Sequence, residues 1–234
     1  MSLFAISDLH LSFADTIDKP MDKFGPEWTD HAERLRKAWL DVVSTDDTVV
    51  IPGDISWAMS LEEAKPDLEF IDALPGRKVL LRGNHDFWWS SMKKMRGLYN
   101  SIDFIQNDAY ETENFVLCGT RGWYLPWNVP KDMTSEENEK IFRREVLRME
   151  MSLEAAKKVQ SGRRLIAAMH FPPLDPAHTG TVVTELLQSY GVDIAVYGHL
   201  HGRHRIEAVE GRVGGIEYRY VSLDKLDATP VLIV

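Results

Sequence analysis

The stretch Leu80–Asp86, "LLRGNHD", breaks off an apolar run with an amide, an imidazole and a carboxylate in a row. Val79, Leu80 and Leu81 read as the end of a buried strand, where unpartnered polar groups are expensive. A turn is the plain explanation, because Gly-Asn is common turn chemistry. The same event, however, recurs at four other apolar runs. "LFAIS" is followed by Asp8 and His10, "VVIPG" by Asp54, "LIAAM" by His170, and "IAVYG" by His199 and His201. Five strand ends thus carry metal-competent side chains. In open α/β sheets, ligands sit in the crevice beyond the carboxyl ends of the strands, so residues far apart in sequence are expected to converge there.

The segments between these strands support that reading. Asp30 is expected to cap a helix running to about Val43, with Ala32, Leu35, Trp39 and Leu40 at helical spacing. Ser60 and Glu63 have the spacing of a capping box for a helix closing near Leu74, and Thr134 and Glu137 that of a second, for a helix to about Gln160. That last helix carries Glu136–Lys140, Glu139–Arg143 and Glu154–Lys158 at i,i+4, the mark of a solvated face. Val182–Tyr190 is a further helix. The tail from Arg205 to Val234 alternates like antiparallel strands, with turns at Glu210-Gly211 and Gly214-Gly215. Alternating strands and helices predict an α/β fold with largely parallel central strands. With no linker in view, residues 1–234 are expected to form a single domain.

Composition narrows the function classes. The 234 residues are 44% hydrophobic and 27% charged, ordinary globular proportions. The net charge of −9 argues against general electrostatic attraction to nucleic acid or to an anionic membrane. A single cysteine, Cys118, excludes an intramolecular disulfide framework. The apolar run in "MSLFAISDLH" is too short for a signal peptide, and no stretch approaches the roughly 18 apolar residues needed to span a bilayer. A cytoplasmic location is therefore expected.

The strand-end residues comprise three carboxylates (Asp8, Asp54, Asp86), one amide and several imidazoles, with no thiolate nearby. Such an oxygen and nitrogen set suits manganese, iron or zinc better than a structural zinc cage. It holds too many ligands for one ion. Two ions sharing a carboxylate would use them fully, and Asp54, standing alone between the other ligand pairs, is the natural bridge. Two metals about 3.5–4 Å apart stabilise the attacking and leaving oxygens of a displacement at phosphorus.

In this order, "DLH", "GD", "GNHD", a lone His after a strand and "GHLH" resemble the calcineurin-like metallophosphoesterase superfamily, over a span from Asp8 to His201. The resemblance implies a four-layer α/β/β/α sandwich with a dinuclear site between the sheets. It implies one divalent or mixed-valence transition metal ion held by Asp8, His10, Asp54 and His201, and another by Asp54, Asn84, His170 and His199. It further implies in-line attack by a hydroxide bridging the two metals. His85 would face the substrate, stabilising charge on the phosphoryl group and protonating the leaving oxygen. Asp86 would brace the turn behind them.

Outside these motifs, Arg121 in "GTRGW" is a candidate substrate contact, with pairing to a carboxylate as the alternative. Trp57, Trp88, Trp89, Trp123, Tyr124 and Trp127 flank the motif loops and are either a substrate rim or simple packing. His31 and His204 read as surface residues, and His178 as an ordinary loop residue. The second motif, "GDISWAM", lacks the acidic-arginine-glycine extension of the superfamily's Ser/Thr protein phosphatases, and His85 stands where its lipid-precursor pyrophosphatases usually carry arginine. The sequence thus points to a phosphohydrolase acting on a small phosphodiester or phosphomonoester. The alternatives are a nuclease for short or single-stranded nucleic acid, with the aromatics as a stacking platform, and a non-catalytic metal-binding scaffold.

Overall fold

The computed structural model describes all 234 residues. In chain order the elements are β1 (Leu3–Ala5), α1 (His31–Val42), β2 (Thr48–Pro52), α2 (Lys65–Ala73), β3 (Arg77–Leu81) and the single turn α3 (Met92–Met95). There follow β4 (Ile102–Phe104), β5 (Ala109–Glu111), β6 (Phe115–Thr120), α4 (Ser135–Val159), β7 (Arg164–Met169) and α5 (Val182–Ser189). The chain ends with β8 (Ile194–Tyr197), β9 (Gly211–Val213), β10 (Ile216–Tyr220) and β11 (Val231–Leu232). They build two sheets, of strand order β11-β1-β2-β3-β4 and β5-β6-β7-β8-β10-β9. Neighbours are parallel within β1–β4 and within β6, β7, β8 and β10, whereas β5, β9 and β11 are antiparallel edges.

Strand pleating explains the layering, because successive side chains point to opposite faces. Ala5, Val50, Val79 and Leu81 from the first sheet meet Phe115, Leu117, Ile166, Ala168 and Val196 from the second in one shared core. The alternate residues of the first sheet, Val49, Ile51 and Leu80, pack outward against Leu35 and Trp39 of α1 and Leu68 and Ile71 of α2. Val116, Cys118, Leu165 and Ala167 of the second sheet do the same against Met149 and Leu153 of α4 and Leu187 of α5. The result is the expected α/β/β/α sandwich. Because both faces of the central strands are covered, their sequences are continuously apolar, as a parallel sheet requires.

Three local expectations differ from the structure. Asp30 precedes α1 but sits in a left-handed conformation (φ 50°) and makes no capping bond through its side chain. Ser60 accepts from Glu63 N–H, yet the Glu63 carboxylate turns to Met59 N–H and the Thr16 hydroxyl, so the box does not close. The helix α2 starts only at Lys65, with Pro66 in its first turn, where a missing N–H costs nothing. The tail is strand-like only from Gly211, because 202–207 form a 3₁₀ turn that holds His204, and its strands divide between the two sheets. By contrast, the Thr134–Glu137 box closes as expected, and Glu139–Arg143 pairs along α4.

Candidate metal centre

The five strand ends converge at one edge of the sandwich. Asp8 and His10 follow β1, Asp54 follows β2, and Asn84 and His85 follow β3, all from the first sheet. His170 follows β7, and His199 and His201 follow β8, from the second. Two groups of ligand atoms form: Asp8, His10, Asp54 and His201, and Asp54, His170 and His199, each within 4.8 Å of one another. Asp54 belongs to both. Asn84 joins the second group, its Oδ1 lying 2.8 Å from His170 Nε2 and 3.0 Å from His199 Nδ1.

Backbone conformation aims these side chains. Asp8 (φ 61°), His10 (46°), Asp54 (52°) and His199 (73°) all adopt left-handed conformations. Such residues cost of order 1–3 kcal/mol each and persist where surrounding structure over-determines them. Close approach of neighbouring loops does this here. A Cβ on Gly83 would lie 2.1 Å from Asp54 Oδ1, and one on Gly198 2.3 Å from Asp8 Oδ2, so both loops run directly over a carboxylate.

Asp86 is fully buried and serves as the brace. It accepts from the N–H groups of Gly83 (2.6 Å), Asp54 (2.9 Å), Ile55 (2.9 Å) and Ser56 (3.2 Å) and from the Trp88 indole (2.9 Å). Burial and the neighbouring Asp54 push its carboxyl up to about 6. One carboxylate thus locks the β2 loop to the β3 loop, which is why "GNHD" ends in an acid.

The donors fit metal binding. His10 Nε2 and His201 Nε2 face each other at 3.3 Å, and His170 Nε2 and His199 Nδ1 at 3.2 Å. Nitrogens so close need a shared cation or a proton between them. Burial drives His10 down to about 3 and His199 well below the ordinary imidazole range. His201 goes the other way, up to about 10, because Asp8 and Asp224 outweigh its burial. Burial opposes the charge of Asp8 and Asp54 too, but the imidazoles beside them hold both below the usual carboxylate range. Without metal, protons on some imidazoles offset the carboxylates, and cations binding here would displace them. The oxygen and imidazole set suits manganese, iron or zinc.

The outward nitrogens are also placed. His170 Nδ1 lies 3.0 Å from Pro52 O, which directs Nε2 inward, and His201 Nδ1 lies 3.6 Å from the buried Asp224. Asp224 also accepts from Gly202 N–H (3.1 Å), while Ser222 donates to Asp8 (2.6 Å). Sequence reasoning missed both, because β10 alternates Glu217 and Arg219 with its apolar residues, unlike the continuously apolar strands before the other motifs.

His85 sits apart from both groups. Its backbone N–H donates to Asp54 Oδ1 (2.8 Å), and its ring lies 4.5 Å from Trp57 and 5.7 Å from His10. Burial lowers its pKa. It lines a cleft of about 290 Å³ with Met21, Phe24, Trp28, Trp57, His10 and His201. A second cleft, of about 450 Å³, opens beside His199 and His201, walled by Trp123, Tyr124 and Phe171. Trp28, unremarked in the sequence, packs edge-on against both His10 and His201.

The other sequence candidates separate. Trp57, Trp123 and Tyr124 line the clefts, whereas Trp88 and Trp89 are buried packing residues and Trp127 is exposed, donating to Asp175 (3.0 Å). Arg121 does not join the cluster. Its guanidinium stacks on Trp123 at 4.4 Å and lies 3.4 Å from Glu145, the carboxylate pairing that stood as its alternative. Its backbone carbonyl, meanwhile, accepts from His170 and Phe171 N–H, both at 3.0 Å. His178 is exposed and His204 pairs with Glu207, as surface residues do. His31 is instead half-buried against Trp28, and burial lowers its pKa.

Comparison with known proteins matches residues 1–203 to the family described as calcineurin-like phosphoesterase. The chain belongs to this family. It is 39% identical over 80 residues to the gene 66 protein of Mycobacterium phage L5, covering 34% of this chain and 37% of that protein. Against the uncharacterized protein MJ1445 of Methanocaldococcus jannaschii it is 31% identical over 126 residues, 53% of this chain and 66% of the relative. The chain thus spans less than two thirds of either relative. Among solved structures, the protein of unknown function AQ665 from Aquifex aeolicus superposes with a TM-score of 0.52 at 18% identity, over 99% of this chain and 95% of that one. Phosphopantetheinyl hydrolase (PptH) from Mycobacterium tuberculosis gives 0.54 at 14% identity, over 94% and 88%. At these identities the two structures share the fold with this phosphoesterase. No helix is long and apolar enough to cross a membrane.

Proposed function

We propose that this phosphoesterase is a dinuclear enzyme that hydrolyses a small phosphodiester. The observation that carries the reading is Asp54 standing in both groups of ligand atoms, so that one carboxylate serves two cations. Asp8, His10, Asp54 and His201 would hold one ion, and Asp54, Asn84, His170 and His199 the other, the pair being drawn from manganese, iron and zinc. When bound, these ions supply Lewis acidity and lower the pKa of water enough to provide a hydroxide nucleophile at neutral pH.

The chain's own groups do the rest. His85, held by its backbone bond to Asp54 and by the Trp57 ring, presents its imidazole to a phosphoryl oxygen and stabilises the charge that develops there. The preference for a diester is supported by the two clefts, both of which His201 lines. A phosphorus at the cluster has room for a substituent on either side, one against Trp28 and Trp57 and one against Trp123, Tyr124 and Phe171. These aromatic faces offer a bound ester apolar surface to pack against. With a net charge of −9, a small substrate in the cytoplasm fits better than long nucleic acid.

The test is hydrolysis of bis(4-nitrophenyl) phosphate against 4-nitrophenyl phosphate by manganese-loaded protein, before and after chelation. Faster turnover of the bis ester, abolished by chelation, is the expected result. Preference for the mono ester would move the assignment to a phosphomonoesterase, and no hydrolysis of either would favour a non-catalytic scaffold.

A further inference from the structure

Beyond the metal centre, a separate pocket of about 130 Å³ opens past the ends of β3, β4 and β6, lined by Arg82, Arg121 and Arg148 together with Glu145, Gln106 and Ser90. Its charge is unbalanced. Arg121 and Arg148 both address Glu145 Oε1, at 3.4 and 2.8 Å, and Arg144 approaches the same atom at 3.9 Å. The other oxygen, Oε2, is taken by the Thr120 hydroxyl at 2.6 Å. One buried carboxylate is therefore shared among several guanidiniums. Arg82 has no carboxylate of its own. The acid behind it, Asp86, spends both oxygens on five N–H donors.

Two donors are stranded as well: Arg82 Nε and Arg121 Nε are both buried without a hydrogen-bond partner. Guanidinium cannot shed its proton under ordinary conditions, so the two stranded Nε donors and the excess of half-buried arginine over Glu145 favour an anion here. Gln106 gives its carbonyl oxygen to the Trp89 indole (2.8 Å), which leaves its NH₂ as a further donor on the lining. Such a pocket is too small for a drug-sized ligand, and its donors suit a planar fork gripping a compact oxyanion.

We infer that this pocket binds a tetrahedral oxyanion, a phosphate or the phosphoryl group of a larger molecule, through Arg82, Arg121 and Arg148. The site stands independently of the metal centre, since none of the proposed metal ligands lines it.

Calorimetric titration of inorganic phosphate into metal-loaded protein at constant ionic strength tests this. Phosphate binding should contain an event that weakens by about tenfold or more in Arg82→Gln and, separately, in Arg148→Gln. The same event should tighten in Glu145→Gln, which removes the competing carboxylate. Opposite signs from the arginine and glutamate variants are not produced by a general loss of folding. Phosphate affinities that are the same in all three variants as in the wild type would overturn the inference. The source of the anion is read from KM. A rise in Arg82→Gln confined to diesters bearing a second, non-scissile phosphoryl group assigns the pocket to substrate. An unchanged KM with weakened phosphate binding assigns it to free phosphate, and either result upholds the site.

Discussion

The two sheets bring different chemistry to the same edge. The first contributes the oxygens of Asp8, Asp54 and Asn84 with one imidazole, His10. The second contributes only imidazoles, His170, His199 and His201. The two sides are also held differently. On the first sheet three residues sit in left-handed backbone conformations, and Asp86 ties two of the loops together. On the second, Pro52 O orients the His170 ring at its outer nitrogen, and the carboxylate of Asp224 lies beside that of His201. Neither sheet has a full ligand set, so the site exists only where the sandwich closes. The carboxylate common to both groups is on the first sheet, and damage to the two sides should differ accordingly.

Asp54→Asn on the first sheet should deplete metal at both positions and lower hydrolysis by at least about 10⁴-fold. His170→Ala on the second sheet should spare the group formed by Asp8, His10, Asp54 and His201. Metal analysis of the two variants checks the contrast, and one ion kept in Asp54→Asn with none in His170→Ala would reverse it. His85→Ala, which removes no proposed ligand, should keep the metal content while turnover falls by about 10²–10⁴-fold. Metal lost in step with activity would make His85 a ligand. Asp224→Ala should weaken metal binding by about 10–100-fold through the loss of its carboxylate beside His201 and Gly202, measured by titration against a chelating indicator. The smallest effect concerns the outer face of the second sheet. Burial pushes the Cys118 thiol up to about 12, so almost no thiolate exists at pH 8 in the folded protein. Ellman's reagent should therefore react only after denaturant is added, and prompt reaction with native protein would contradict that packing.

The strand-end pattern makes most of the metal cluster legible, because a polar triplet after a buried strand is costly unless it serves a site. The layering is legible for a related reason: runs such as Val49–Ile51 and Leu165–Ala168 are apolar at every position, so both faces of their sheets must be covered. The features that escape the sequence depend on distant partners. The Glu63 carboxylate prefers Met59 N–H and Thr16 to the Ser60 backbone, which spacing within one segment does not reveal. Arg121 follows a strand as the ligands do, but its side chain goes to Glu145 and Trp123. Trp28 reaches the site from a pair of 3₁₀ turns between 21 and 28, whose sequence has no periodicity to place it. Asp224 is hidden for a different reason. The tail alternates like an antiparallel edge, and only the parallel pairing of β10 with β8 brings its carboxyl end to the metal cluster.

Counting the transition metal bound per chain is the most direct test of two cations sharing Asp54. Elemental analysis of protein offered manganese, iron and zinc in turn should find two ions per chain. A limit of one ion with every metal offered, or no uptake at all, would contradict it.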